Sequence, residues 1–307
     1  MNATHYDVIV LGAGAAGLTA GIYLARAHKN TLIINEGSIG GQMVLTHTVA
    51  NYPGVEETSG REISLIMKKQ AKSFGCDFES NVEVTKLDVT SKTKLVEIDD
   101  DEVFTADAII LATGGTPRKL GVKGEDKFKG LGVSYCATCD GDFYEGKNII
   151  VSGGGNSALE EAVSLTKYAK SVTIIHQFDN FQATEYAIEQ AEKNEKVSFV
   201  METEIVEFLG DTGIEGVKLE NQKTKETSEL KTDGVFIYIG YIPNTERFTD
   251  AIELTKRKEI KTDENMLTNI AGVFAAGDVR SKKFRQITTA VSDGTIAALN
   301  AIEFLQE

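Results

Sequence analysis

Tyr6-Asp-Val-Ile-Val-Leu11, followed at once by Gly12-Ala-Gly-Ala-Ala-Gly17, is the stretch that decides the fold. The first six residues read as a short buried strand. The Gly12-x-Gly14-x-x-Gly17 spacing then lets the chain turn tightly and brings the backbone close to a pyrophosphate. It opens a helix whose free N–H groups favour an anion. Gly12, Ala13, Gly14, Ala15, Ala16 and Gly17 are therefore candidate cofactor contacts. A helical stretch over 18–27 and a second strand, Thr31-Leu-Ile-Ile-Asn-Glu36, complete a βαβ unit. Glu36 ends that strand, where a carboxylate accepts hydrogen bonds from a ribose. The competing reading is a tight turn with no ligand. The strand before it, the helix after it and the carboxylate all weigh against that.

Downstream, the pattern predicts a helix over 61–74, an alternating meander over 82–102 and a buried strand over 107–113. The acidic run Asp99-Asp-Asp-Glu102 reads as a solvated tip of the meander. Near Pro117 the design starts again. Asn148-Ile-Ile-Val-Ser152 is a strand, Gly153-Gly-Gly-Asn-Ser-Ala158 a tight turn, 159–168 a helix and Val172-Thr-Ile-Ile-His176 a second strand. A second meander over 197–230 and a strand over 235–239 follow. Two copies of one design imply two nucleotide-type domains. Val273-Phe-Ala-Ala-Gly-Asp278 and a helix over 287–305 complete neither copy locally, so they return to the first. The expected domains are 1–115 with 246–307, and 116–245 inserted between them.

Within the second copy lies Cys136-Ala-Thr-Cys139-Asp140. Two thiols so spaced can close a small reversible disulfide, a two-electron carrier matched to a flavin or a hydride. Exchange runs through a thiolate and a mixed disulfide. Asp140, beside the leaving sulfur, is placed to move its proton; a turn residue or helix cap is the plainer alternative. No metal is expected, because zinc would want a second Cys or His pair, and only Cys76 and four scattered histidines remain. Cys76 reads as a small apolar filler. With 32 Lys and Arg against 46 Asp and Glu, the charge of −14 disfavours nucleic acid. No apolar run is long enough to span a bilayer, and the start of the chain carries no signal-peptide pattern. The expectation is a cytoplasmic protein.

Taken in order, Gly40-Gly-Gln42, Asn51-Tyr-Pro-Gly54, Ala112-Thr-Gly114, Cys136-Ala-Thr-Cys-Asp-Gly141, Gly277-Asp-Val279 and Arg285-Gln286 cover nearly the whole chain. In this it resembles the low-molecular-weight thioredoxin reductases. The resemblance implies an α/β fold of two Rossmann-like, three-layer ββα nucleotide-binding domains, the second inserted into the first. It implies FAD in the first domain, a homodimer, and a redox disulfide that passes electrons to thioredoxin. Asp278 would bind the ribityl chain, with Gln286 and Ile287 against the flavin. Gly41, Gln42, Thr46, Asn51, Val84, Ala112 and Gly277 would also line the cofactor, and Asp140 would be the acid–base group.

One segment departs from the family. NADPH-dependent members carry His-Arg-Arg with a third Arg four residues on, whereas this chain reads His176-Gln-Phe-Asp-Asn-Phe-Gln-Ala183. Neither Gln nor Phe replaces the bidentate grip of Arg on phosphate. NADPH is disfavoured, and NADH lacks its usual strand-end carboxylate. The Gly153 turn could cradle a pyrophosphate or persist for packing alone. Loss of the arginines with retention of the cysteines resembles the subgroup that draws electrons from ferredoxin. A ferredoxin would need a basic face, for which Lys282, Lys283 and Arg285 are one candidate and Arg118, Lys119, Lys123, Lys127 and Lys129 another; ordinary solvated surface is the alternative. The donor ranking is ferredoxin or another one-electron carrier, then NADH, then NADPH. A flavin dithiol oxidase using oxygen and a non-enzymatic flavin–disulfide sensor are the competing functions, and the retained Asp140 argues for a reductase.

Overall fold

A computed structural model describes residues 3–45, 49, 51–56, 58–248 and 250–306. The chain divides into two compact units, Met1–Thr116 with Ile242–Glu307, and Pro117–Tyr241. The first begins with β1 (Thr4–Leu11), α1 (Ala15–Arg26), β2 (Thr31–Asn35), α2 (Gly60–Ser73), β3 (Asp77–Ser80), β4 (Val84–Asp88), β5 (Lys94–Ile98) and β6 (Glu102–Leu111). The strands lie in the order β3-β2-β1-β6-β5-β4. The first four are parallel, while β5 and β4 run antiparallel. Alternation along β1 divides the core between the two faces of the sheet. Val8 and Val10 pack with α1 and α2, whereas Ile9 and Leu11 pack with Val84 and Val96 on the other face.

The meander and the strand after it, which read as separate elements in the sequence, share one ten-residue strand, β6. Residues 102–106 pair with β5, and the strand from Phe104 to Leu111 pairs with β1. An edge that is half wet and half buried produces two sequence patterns in one element.

The chain crosses to the second unit at β7 (Gly115–Pro117) and continues through α3 (Glu125–Phe128), β8 (Val133–Ser134), α4 (Ala137–Asp140), β9 (Asn148–Ser152), α5 (Asn156–Leu165), β10 (Ser171–Ile175), α6 (Glu185–Glu192) and β11 (Val197–Val200). Then come β12 (Thr203–Leu209), β13 (Gly216–Asn221), β14 (Thr227–Lys231) and β15 (Gly234–Ile237). A parallel sheet β11-β10-β9-β15-β8 forms the centre of the unit, with β12-β13-β14 as a separate antiparallel sheet. Val197–Val200 therefore belongs to the parallel sheet and not to the meander that follows it. Ile149 and Val151 face the α5 and α6 side, and Ile150 faces Phe208, Val217 and Leu219.

The return crossing, β16 (Tyr241–Pro243), pairs with β7. β17 (Val273–Ala275) then takes the half of the β6 edge that β5 leaves open, with Val273 opposite Ile109. Finally α7 (Ile287–Phe304) packs on α1. A Cβ at Gly294 would lie 2.2 Å from the Ala16 carbonyl oxygen, so this helix crossing requires glycine.

Candidate functional site

The first glycine turn is shaped by its own packing and open where a ligand would approach. Gly12 has φ +107°, and a Cβ there would lie 2.3 Å from the Ala112 carbonyl oxygen. Ala13 N–H donates to the Asn35 side chain at 2.9 Å. A Cβ at Gly14, by contrast, would meet nothing within 4 Å. Gly14 is also the N-cap of α1 and supplies no side-chain hydrogen bond to the first turn. Ala15, Ala16 and Gly17 begin that helix, so their N–H groups belong to its unsatisfied end. Gly41, at φ +56°, would bring a Cβ to 3.3 Å from the Gly14 Cα, which sets it beside the same turn. Gln42 and Asn51 are exposed. Thr46 lies outside the described residues.

Gly277, Asp278, Gln286 and Ile287 come to this turn from the other end of the chain. A Cβ at Gly277 would sit 2.9 Å from that of Ala16. Asp278 Oδ1 is buried without a hydrogen-bond partner among the described residues. The Lys282 ammonium stands 3.6 Å away, beyond hydrogen-bond distance. Burial raises the Asp278 carboxyl above its usual range, and Lys282 and Arg285 only partly offset that. Gln286 is engaged in a reciprocal cap with Thr289 at the start of α7, which Ile287 opens. Glu36 is already held: its Oε1 accepts from Val84 N–H at 3.0 Å and from Arg247 at 2.8 Å. Arg247 also donates to the Val84 carbonyl. Nothing in the sequence marked Arg247, which is distant along the chain from both partners. An open helix N-terminus and a buried orphan carboxylate oxygen fit the pyrophosphate and a polyol hydroxyl of FAD.

In the second unit Cys136 and Cys139 are joined as a disulfide with Cα atoms 5.3 Å apart. Both are half-buried across the single turn of α4. Cys139 N–H donates to Cys136 Sγ at 3.2 Å. Ala137 N–H donates to the hydroxyl of Tyr238, just beyond β15. Asp140 closes α4, and its Oδ2 accepts from Ser134 Oγ at 2.6 Å. Ser134, from β8, also accepts Cys136 N–H at 3.1 Å. Sequence reasoning missed Ser134 and Tyr238, since a Ser in a two-residue strand and a Tyr after an apolar one give no signal of their own. Cys76 stands apart in the first unit. It is buried, donates to the Gly21 carbonyl at 3.1 Å, and has its thiol pushed up to about 12 by burial. That thiol is inert.

The segment lacking arginine is packed with aromatic rings. The His176 ring lies over Gly154, where a Cβ would come within 2.4 Å of it. It stacks on Phe181 at 5.7 Å and meets Phe178 edge-on at 5.4 Å. His176 Nε2 is 3.2 Å from the Asn180 carbonyl, and burial lowers its pKa, so the ring is neutral at pH 7. Gln182 N–H donates to the Gly154 carbonyl at 2.8 Å. No cation stands in this stretch.

The candidate basic faces are partly paired with carboxylates. Lys282 is only 9% exposed and pairs with Asp293 at 2.9 Å, and Arg285 pairs with Glu259. Lys283 remains exposed. In the second unit Lys119 pairs with Asp126 and Lys123 with Glu207. Lys127 reaches the Gly210 carbonyl, and Lys129 lies over the Tyr135 ring.

The family described as pyridine nucleotide-disulphide oxidoreductase matches residues 6–294. A relative described as a 34.2 kDa protein in a rubredoxin operon, from Clostridium pasteurianum, is 47% identical over 97% of both chains. Thioredoxin reductase of Bacillus subtilis is 43% identical over 98% of this chain and 95% of its own. The crystal structure of thioredoxin reductase from Streptococcus pyogenes superposes with a TM-score of 0.94 at 39% identity, covering 99% of each chain. Fold and disulfide thus place the molecule among the α/β oxidoreductases with two Rossmann-like nucleotide-binding domains. Within that class the chain belongs to the low-molecular-weight thioredoxin reductases, flavoprotein enzymes with a redox-active CxxC disulfide. No helix among the described residues is long and apolar enough to cross a membrane.

Proposed function

We propose that this flavoprotein reduces a thioredoxin-type disulfide through Cys136 and Cys139 with electrons from ferredoxin or a similar one-electron carrier. The observation that carries the choice of donor is the segment 176–182, which is neutral or acidic and aromatic where a 2′-phosphate would need paired cations. The description of the Clostridium pasteurianum relative, which names the operon of a one-electron iron carrier, agrees with a donor of that class.

FAD, when bound, supplies a store for two electrons that arrive singly and leave as a pair. Gly12 to Gly17 would hold its pyrophosphate, Glu36 its ribose and Asp278 its ribityl hydroxyls. Two electrons and two protons convert the Cys136–Cys139 disulfide to the dithiol. One thiolate attacks the partner disulfide and forms a mixed disulfide. The other then displaces the partner's remaining sulfur and re-forms the Cys136–Cys139 bond, leaving the partner as a dithiol. Asp140 holds the proton that neutralises a leaving thiolate. We take the working form to be a cytoplasmic homodimer, by analogy with the family.

NADH is the second reading. The N-terminus of α5 has no side-chain cap, and a Cβ at Gly155 would meet only the Gln182 carbonyl oxygen, at 3.8 Å, so a pyrophosphate could approach. Anaerobic mixing of the oxidised, flavin-loaded protein with reduced ferredoxin, NADH or NADPH, with thioredoxin present, separates these readings. Rapid flavin bleaching by ferredoxin with none by NADPH is expected. Bleaching by NADPH at micromolar concentration would overturn the choice of donor.

A further inference from the structure

Ser134 is buried at 5% exposure on β8, two residues ahead of the disulfide, and stands between its backbone and Asp140. Its oxygen accepts Cys136 N–H at 3.1 Å. Its hydroxyl proton has two acceptors in range, Asp140 Oδ2 at 2.6 Å and the Cys136 carbonyl at 3.5 Å. The first distance is that of a charge-assisted O–H···O⁻ bond, and the second is at the limit of hydrogen bonding. The proton therefore belongs on the bond to Asp140. A carboxylate that accepts such a bond is stabilised in its ionised form.

We propose that Ser134 is the positioning residue for Asp140. It fixes the carboxylate against the first turn of the disulfide helix and sets the pH at which Asp140 exchanges its proton. The proposal rests on Asp140 being the proton-transfer group of the reading above. Ser134 keeps its own proton while Asp140 passes one to a leaving sulfur. No electron moves in this step. Cys136 N–H anchors the same hydroxyl, so the seryl side chain ties the acid to the cysteine it serves. Tyr144, which follows Asp140 in the chain, and Tyr238, beyond which lies Glu161 of α5, also face it. Burial holds both phenols above their usual range, so they stay neutral where a carboxylate titrates. The Ser134 hydroxyl bond favours the ionised acid.

The test is the pH profile of thioredoxin reduction by the flavin-loaded full-length enzyme, in wild type, Ser134→Ala, Ser134→Thr, Asp140→Asn and the Ser134→Ala/Asp140→Asn double variant. Flavin content and thiol titre are followed alongside. The inflection that Asp140→Asn abolishes should move up by about one pH unit in Ser134→Ala, the scale of one lost hydrogen bond to a charge. Ser134→Thr, which keeps the hydroxyl, should restore it. The double variant should match Asp140→Asn, since Ser134 acts through the carboxylate. An unmoved inflection in Ser134→Ala, or a further loss in the double variant, overturns the assignment of Ser134 and leaves Asp140 intact. An Asp140→Asn profile identical to wild type overturns the role of Asp140 and the proposal with it.

Discussion

Ionising Asp278 costs the folded protein stability. Burial raises its carboxyl above the usual range despite Lys282 and Arg285, so the native state binds its proton more tightly than the unfolded chain does. A raised carboxyl pKa leaves stability intact below the unfolded value and removes it as pH rises through the folded one. The cost grows as pH rises above the unfolded carboxyl value toward the folded one. In the flavin-free protein, Asp278→Asn should therefore raise the melting temperature at pH 7, and the gain should shrink as pH falls toward the unfolded carboxyl value. If Asp278 binds the ribityl chain, the same change replaces a charged acceptor by a neutral amide and should weaken FAD binding roughly 10- to 100-fold, as for a lost charge-assisted hydrogen bond. Melting curves of the apoprotein with flavin titrations read both effects. Unchanged affinity would remove Asp278 from the flavin site. The residue type was legible in the sequence through its motif. Its orphaned oxygen was not, because that depends on Lys282 being drawn toward Asp293, eleven residues further on in α7. The same ion pair draws Lys282 inward from a run of cations that reads as docking surface, while Lys283 beside it stays exposed.

Between β10 and α6, the segment 176–183 shows how an element can keep its backbone and change its chemistry. Gln182 still pairs with Gly155, and the His176 ring still closes on Gly154. The backbone of the turn is thus held in place by these contacts, in a segment without cations. Gln177, Phe178 and Gln182 are all exposed, so arginines there would extend into solvent with no core to disturb. The triple variant Gln177→Arg, Phe178→Arg, Gln182→Arg should gain NADPH affinity by at least roughly tenfold, the scale of one bidentate Arg–phosphate contact. Calorimetric titration reads this directly. No gain would show that the cleft is closed for steric reasons, with the stacked rings of His176 and Phe181 as the first cause to examine. At this scale the sequence was most informative where one pattern meant one element: strand, glycine turn and helix are read within a few residues in both copies. It was least informative where one strand serves two partners, as β6 does. It failed likewise where a half-exposed edge strand such as β11 shares its alternation with the meander behind it, because a period of two is blind to whether a neighbour runs parallel or antiparallel.

For the whole chain the decisive fact is that two copies of one design retain separate cores. Each sheet divides its own apolar residues between two faces, and among the described residues each buried cluster draws on one unit. The first unit is assembled from distant pieces, since β17 fills the edge of β6 and α7 rests on α1 across Gly294. The second is one continuous stretch. The sequence announced this through the repeat and through the terminal helix that completes neither copy. A ligand held in only one core stabilises only what unfolds with that core. FAD bound at the first glycine turn, at a hundred times its dissociation constant, adds about 2.7 kcal/mol to the unit that holds it. Amide hydrogen exchange with and without flavin should therefore show slower exchange in β1, α1, β6, β17 and α7, by up to about a hundredfold. β9, β10 and β15 should exchange at the same rate in both states. Equal slowing of those three strands would mean that the two cores open together, and the units would then have to be treated as one cooperative body despite their separate packing.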